Sequence, residues 1–544
     1  MPQAEIVGGV VGAVVMAIGL SVGLTLVKSA NTAVSTAFSG VPPSTGAPAT
    51  FPGPDGVEAR WVIDENKRPG TTAWQIHGAR GSISGFANQV YAQQGQRVTL
   101  YVSTDAADFR AEAFRVGYYH GKGGRLVWQS GQVAGKMQPH CRLTPGINMV
   151  ACDNWKPSVT FTVTSGFVQG DYLIKLAGNQ RQQSYVPLTV WDPSSTATYV
   201  IKNDVFTWQA WNPYGGYDFY AGLQACPAGV YPLCSRARVV SFDRPYGAED
   251  GSGNFLALEY PLVRYAEQRG LDVTYATDVT VQQHPGYLLR HKVLLSLGHD
   301  ECWSLGERRS AVAAHQRGMN IVFFAASPIL RHVRTLASPL GPDREVVDYR
   351  DSSADPLYGE GKPLEVTGNT WTSAPADWPE YDFVGATYAG FLEPRVYTSM
   401  RVADASSWVF QGTGLRNGSL VPGVVASDVD KFDASMGQPA NDQVLAHSPI
   451  PVKLGQTSIG AFFSDMTYYT ARHGGAGILD TGTNNWIPAM LHDRDGCGKR
   501  GGPDTTCAAA IIQRITGNIL RAFGQGPAQR THPSVANWRQ VTGQ

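Results

Sequence analysis

The segment KVLLSLGHDECWS, Lys292 to Ser304, places a histidine, two acids, a cysteine and a tryptophan directly after an apolar run. His299, Asp300 and Glu301 are candidate general acid/base groups or metal ligands. The acids have a second reading, as charges favoured at the start of the helix that Ser304 opens. Cys302 is either a buried thiol or a nucleophile activated by His299. Immediate neighbours on a chain rarely face one another, which weighs against the nucleophile. The second chemistry-bearing stretch is TWQAWNPYGGYDFY, Thr207 to Tyr220. Tyr214, Tyr217 and Tyr220 surround a Gly-Gly turn together with Trp211 and Asn212. This loop either packs over a sheet edge or walls a pocket in which phenol oxygens act as hard ligands.

Both stretches need a scaffold that brings them to one rim. TYVIKND precedes the aromatic loop, and KVLLSLG precedes GHDECWS. Both read as buried strands. SLGERRSAVAAHQRG reads as a helix opened by a capping box, Ser304 with Glu307, and closed at Gly318. NIVFFAAS reads as the next strand. Strand, helix, strand at these lengths calls for a parallel crossover, and ligands of open α/β sheets bind beyond the carboxyl ends of the strands. The expected fold is therefore an α/β domain over 196–530 with a largely parallel sheet, Rossmann- or glutamine-amidotransferase-like. Its last helix is expected from Ala508 to Phe523, ending at Gly524. The alternation in RVTLYVST and SVTFTVT (Val98, Leu100, Val102; Val159, Phe161, Val163) predicts an antiparallel β-sandwich over 56–195. Residues 531–544 form a tail.

The N-terminus differs from all of this. Ile6 to Val27 carries no charge and is long enough to cross a bilayer as a helix. Residues 1–30 are read as a transmembrane or signal segment, followed by a Pro/Gly/Ser-rich linker over 31–55. The exported remainder is then membrane-anchored through residues 6–27, or secreted after cleavage. Gly8/Gly12 and Gly19/Gly23 have the small-xxx-small spacing of helix pairing, which permits a homo-oligomer. Six of the seven cysteines form close pairs: Cys141 with Cys152, Cys226 with Cys234, and Cys497 with Cys507. None has zinc-ligand spacing, so three local disulfides of an oxidising compartment are expected, leaving Cys302 over. Lys+Arg and Asp+Glu both number 44. The resulting neutrality argues against nucleic-acid binding.

The chain resembles the N,N-dimethylformamidase large (beta) subunit family. TWQAWNPYGGYDFY is similar to that family's Thr-Trp-x-Ala-Tyr-Asn-x-x-Gly-Gly-x-Ser-x-Tyr. GHDECWS is similar to its Gly-His-Asp-Glu-Tyr-Trp-Ser. EYPLVRYAEQRGLDVTYATDV and ISGFANQVYAQQGQRVTLYVSTDAADFRAEAFRVGYY resemble two further blocks, so the likeness runs from about 65 to 525. It implies hydrolysis of a small amide at a mononuclear iron held by two tyrosinates and a glutamate. Position by position, the glutamate falls on Glu301 and one tyrosine on Tyr220. The other tyrosine position holds Trp211, whose indole nitrogen is a donor only. Either Tyr214 or Tyr217 must then replace it, or the iron site is lost. The tyrosine after the family's glutamate is Cys302 here. The dimethylformamidase also has a small subunit that this chain does not contain.

Three functions follow as expectations. One is an iron-dependent amidase in which His299 and Glu301 are catalytic, Tyr220, Glu301 and Tyr214 hold the metal, and Trp211, Asn212 and Tyr217 bound the substrate. A second is a non-catalytic cell-surface binding or structural protein on the same fold. The third is a thiol hydrolase using Cys302.

Overall fold

A computed structural model describes residues 49–224, 232–450, 462–491 and 508–544. The expected membrane segment and residues 31–48 of the linker lie outside the described residues. The last part of the expected linker is paired structure: Thr50–Gly53 joins Gly56–Ala59 in a hairpin.

The alternating segments form two facing sheets. Arg97–Thr104 lies between Ile83–Ala87 and Val159–Thr162. The second sheet is built on Asp108–Val116, Gly170–Gly178 and Gln183–Val190. Val98, Leu100, Val102 and Phe161 meet Ile174, Leu176, Val186 and Leu188 in one buried cluster. This is the outcome of period-two patterning with one apolar face. One pairing in the second sheet is parallel, Tyr91–Ala92 against Thr189–Val190, so that sheet is not purely antiparallel.

The α/β expectation for the rest of the chain is corrected. The described residues form eight sheets, most of them small and antiparallel or mixed. The largest has seven strands in the order Val273–Thr277, Tyr199–Asn203, Val293–Leu297, Asn320–Phe324, Gly477–Asp480, Phe463–Thr470, Gln443–Pro449. Its first five strands are mutually parallel and its last two antiparallel. The mixed sheet is surrounded by further antiparallel pairs, Arg331–Ser338 with Gly341–Val347, Thr387–Phe391 with Asp428–Lys431, and Tyr397–Arg401 with Leu420–Ala426. Helices are few and mostly short, so no Rossmann-like layering forms. Between Ala325 and Leu479 the chain is rich in Gly and Pro and lacks helical periodicity. Its described residues up to Pro449 form small antiparallel pairs, one a hairpin and others between strands well separated in the chain, where a doubly wound fold needs crossover helices.

Where helical patterning is present, helices form. Leu305–Gln316 is opened by Ser304, whose hydroxyl accepts from Glu307 N–H at 3.2 Å while Glu307 reaches back to Ser304 N–H at 3.4 Å. Ala508–Phe523 buries Ile511, Ile512, Ile515, Ile519 and Phe523 against the main core. The two sheet systems are joined by a fully buried ion pair: Arg115 donates to both carboxylate oxygens of Glu267, at 3.0 and 2.5 Å. All described residues belong to one compact unit, Ser39–Gln544.

Candidate functional site

The strand Val293–Leu297 is buried throughout and ends at Gly298. Gly298 has φ +62°, and a Cβ there would lie 2.7 Å from Leu258 Cβ. Only glycine suits both constraints. The chain then turns so that successive acids face opposite ways. Asp300 points inward. It binds Lys202 Nζ at 2.9 Å and accepts from Ser296 Oγ at 2.6 Å and Trp303 Nε1 at 2.9 Å. Lys202 also binds Asp278 and Glu307, all fully buried. This cation among three acids anchors the loop from below.

Glu301 points toward the aromatic loop. Its backbone is held by Glu301 N–H to His299 O at 2.8 Å and by Arg331 N–H to Glu301 O at 2.8 Å. Cys302–Ser304 is itself a short strand paired in parallel with Arg331–Val333, where a plain loop is expected. The short helix Val205–Ala210 follows the strand Tyr199–Asn203 and ends at Trp211. Thr207 Oγ1 accepts from Cys302 N–H at 3.0 Å, tying the two motifs together.

Four groups surround the Glu301 carboxylate. The Tyr220 hydroxyl donates to Oε2. Trp211 Nε1 donates to the same oxygen at 3.2 Å. Arg331 Nε donates to Oε1 at 3.1 Å. His299 Nε2 lies 3.6 Å from Oε2 and 3.0 Å from Asp428 Oδ2, the latter an ion pair without hydrogen-bond alignment. Trp211 and Tyr220 stack at 3.7 Å between centroids, and Arg350 covers the Tyr220 ring at 4.2 Å. Burial alone would raise the Glu301 pKa. The His299, Arg331 and Tyr220 contacts outweigh it and hold the carboxyl below its ordinary value. Burial opposes charging of His299, but Asp428 and Glu301 push its pKa up to about 9. At neutral pH the site is thus an ionised carboxylate ringed by donors.

Tyr220 and Glu301 are therefore brought together across 81 residues. His299 and Trp211 join them. Other candidates face elsewhere. Tyr214 packs on the cluster around Cys152, Phe86, Tyr101 and Trp155. Tyr217 is buried in the main core, and its carbonyl accepts from Arg244. Neither shares a hydrogen bond with Glu301. Asn212 is spent on its own loop: its amide donates to Gln209 Oε1 and Pro245 O and accepts from the N–H groups of Tyr214 and Gly247. Cys302 is fully buried in the main core. Burial, then the Glu301 charge, pushes its thiol pKa well up, the opposite of an activated thiolate.

Arg331, Arg350 and Asp428 were missed from sequence. Arg331 follows the strand Asn320–Phe324 at the same rim, so its position carried a weak signal. Asp428 sits in a small antiparallel pair far along the chain, next to no motif. Of the expected disulfides, Cys141–Cys152 is formed. Cys234 is disulfide-bonded, while Cys226, Cys497 and Cys507 lie outside the described residues. Among the described residues, no helix is long and apolar enough to cross a membrane.

Fold and site together define a β-rich protein built around a buried carboxylate with an aromatic wall. The family model described as "N,N-dimethylformamidase beta subunit-like, C-terminal" matches residues 110–499, and the chain belongs to this family. A comparison with curated proteins gave no match. Among solved structures, a Paenibacillus sp. cycloisomaltooligosaccharide glucanotransferase complexed with cycloisomaltoheptaose is similar at 11% identity and TM-score 0.14. That likeness covers 23% of this chain and 16% of the other and carries no argument.

The iron implied by the resemblance can be tested against the donor set. Two of its three oxygen ligands have counterparts in contact, Tyr220 and Glu301. The third position presents an indole N–H to Glu301, and an indole nitrogen has no lone pair to offer. Arg331 holds the other carboxylate oxygen, and Tyr214 and Tyr217 are directed into other packing. The residues present do not fit a tyrosinate–tyrosinate–glutamate centre.

Proposed function

We propose that this dimethylformamidase-like protein binds a small amide-bearing ligand at the Trp211–Tyr220–Glu301 site without the family's iron centre. The observation that carries the reading is the Trp211 hydrogen bond to Glu301 at 3.2 Å. It puts a donor where the resemblance calls for a phenolate. A small amide suits what is left. Its carbonyl can accept from the Arg331 guanidinium, and its N–H can donate to Asp428, which is only partly buried. Trp211 is 38% exposed and forms the accessible edge of the site. Export fits this reading: the apolar run at residues 6–27 would anchor the chain or be cleaved, and the disulfide suits an oxidising compartment.

A second reading is the iron-dependent amidase of the family. It is favoured by one observation, the Tyr220 hydroxyl on Glu301. Purified full-length chain separates the two. Iron content, dimethylamine release from N,N-dimethylformamide, and calorimetric titration with formamide, N-methylformamide and N,N-dimethylformamide are the measurements. The binding reading expects iron far below stoichiometry, no amine release, and saturable amide binding that Glu301→Ala abolishes. Stoichiometric iron together with amine release would overturn it in favour of the amidase.

A further inference from the structure

The antiparallel pair of Thr387–Phe391 with Asp428–Lys431 reaches the Glu301 site through Asp428, whose Oδ2 lies 3.0 Å from His299 Nε2. Its register decides which other side chains come with it. Phe391 is directly opposite Asp428, and Tyr388 directly opposite Asp430. Residues opposite one another in an antiparallel pair point to the same face. Asp428 and Asp430 are two apart on one strand and both accept from Ser327, from Oγ at 3.2 Å and from N–H at 2.8 Å, so they share a face. The register shifts between Tyr388 and Gly390, leaving Ala389 unpaired. This bulge puts Tyr388 and Phe391, three apart, on the face of the two acids.

The result is a row of side chains. Trp211 holds Glu301 and its ring centroid lies 5.6 Å from that of His299. His299 meets Asp428, and Phe391 stands beside Asp428. Both ends of the row are aromatic and open to solvent, Trp211 at 38% and Phe391 at 49% exposure. The middle is charged and largely buried. A single exposed aromatic residue is ordinary on a protein surface. Two that bracket one set of charged groups make an apolar–polar–apolar sequence that a ligand can match.

Tyr388 adds a donor to the middle of the row. It is only partly buried, and its hydroxyl bonds to no described residue. Burial pushes its pKa well up, and the charges of Asp428 and then Glu301 push the same way. The phenol therefore keeps its proton beside two carboxylates. A ligand as small as N-methylformamide would meet this middle and leave both aromatic ends in water.

We propose that the site takes a secondary amide carrying an apolar group on both its acyl and its nitrogen side. The carbonyl accepts from Tyr388 as well as from Arg331, the N–H donates to Asp428, and the two apolar groups pack on Trp211 and Phe391. This rests on the amide-binding reading of the site and narrows it to a ligand class.

Full-length protein would be titrated calorimetrically with N-methylformamide, N-benzylformamide, 2-phenylacetamide and N-benzyl-2-phenylacetamide. The last is expected to bind at least about tenfold more tightly than N-methylformamide, the scale of two added aromatic contacts, with the one-sided amides between. Phe391→Ala, at an exposed position, should reduce that gain to the contribution of one side and leave N-methylformamide unchanged. Tyr388→Phe should weaken all four amides. Benzyl phenylacetate, an ester of the same shape without the N–H, should bind at least about fivefold more weakly than its amide. Equal affinity for N-methylformamide and N-benzyl-2-phenylacetamide overturns the proposal and leaves the amide-binding reading standing. So does a full gain that survives Phe391→Ala, an unchanged affinity in Tyr388→Phe, or equal binding of the ester. Absence of binding by any of the four amides overturns both.

Discussion

The indole N–H of Trp211 and the carboxylate of Glu301 meet at 3.2 Å, although the two residues are 90 positions apart in the chain. Tyr220 donates to the same carboxylate oxygen and stacks on the Trp211 ring. One acid therefore organises an aromatic pair. A tyrosine in place of Trp211 would turn a hydrogen-bond donor into a second phenol oxygen on the same backbone.

Trp211→Tyr is accordingly expected to create or strengthen iron binding. Bound iron and tyrosinate-to-iron charge-transfer absorption should both rise relative to the unmodified protein, with the fold checked by circular dichroism. Tyr214→Phe and Tyr217→Phe should leave iron content unchanged, because neither side chain is bonded to Glu301. A correctly folded Trp211→Tyr protein without iron would show that the ligand set cannot be restored by this one change.

Glu301→Ala removes the acceptor of three donors and leaves Arg331 bonded to Asn369 but without its carboxylate partner. Breaking a buried pair from one side costs about 3–5 kcal/mol. Arg331 keeps some access to solvent, so a loss of about 2–3 kcal/mol is expected in urea denaturation. Glu301→Gln should cost less. Equal stability of Glu301→Ala and the unmodified chain would mean that the site does not hold the two motifs together.

Cys302 should resist alkylation in the native protein and react only on unfolding, since the side chain is fully buried and its thiol pKa is pushed up. Timed iodoacetamide labelling with peptide mapping measures this. The same maps should show Cys141 and Cys152 blocked as a disulfide. Rapid native labelling of Cys302 would return the thiol-hydrolase reading to consideration.

Stability should fall as pH rises across a window set by Asp171. Burial first, and the neighbouring Glu259 second, raise its pKa from the ordinary 3.8 to about 7. Below the unfolded value both states hold the proton and the contribution is complete. Above it the unfolded chain releases the proton first, so the contribution is lost as pH climbs to about 7. Asp171→Asn should flatten that slope by up to about 1.4 kcal/mol per pH unit and be the more stable form above the window. Urea melts at points spanning the range would show it. Identical slopes in the two proteins would place the proton elsewhere.

Local patterning was enough for much of this protein. Val98, Leu100 and Val102 alternate, and they lie in the sandwich core. Ser304 and Glu307 have capping-box spacing, and they form one. The close spacing of Cys141 and Cys152 was realised as a disulfide. The family motifs also identified Tyr220 and Glu301 as neighbours. Each of these signals depends on residues a few positions apart, or on a motif met whole.

What the tertiary structure alone decided is of another kind. The long region after Phe324 forms small antiparallel sheets because pairing partners there are chosen by distant strands, which no local period encodes. The direction of each loop tyrosine was equally hidden. Gly215 and Gly216 both adopt positive φ, and the turn they make sends Tyr214 to the disulfide cluster and Tyr217 to the core, leaving Tyr220 at Glu301. Asp428 reaches His299 from a strand 129 residues away in the chain. Such a contact is fixed by the packing of sheets against one another, and side-chain type at either position does not reveal it.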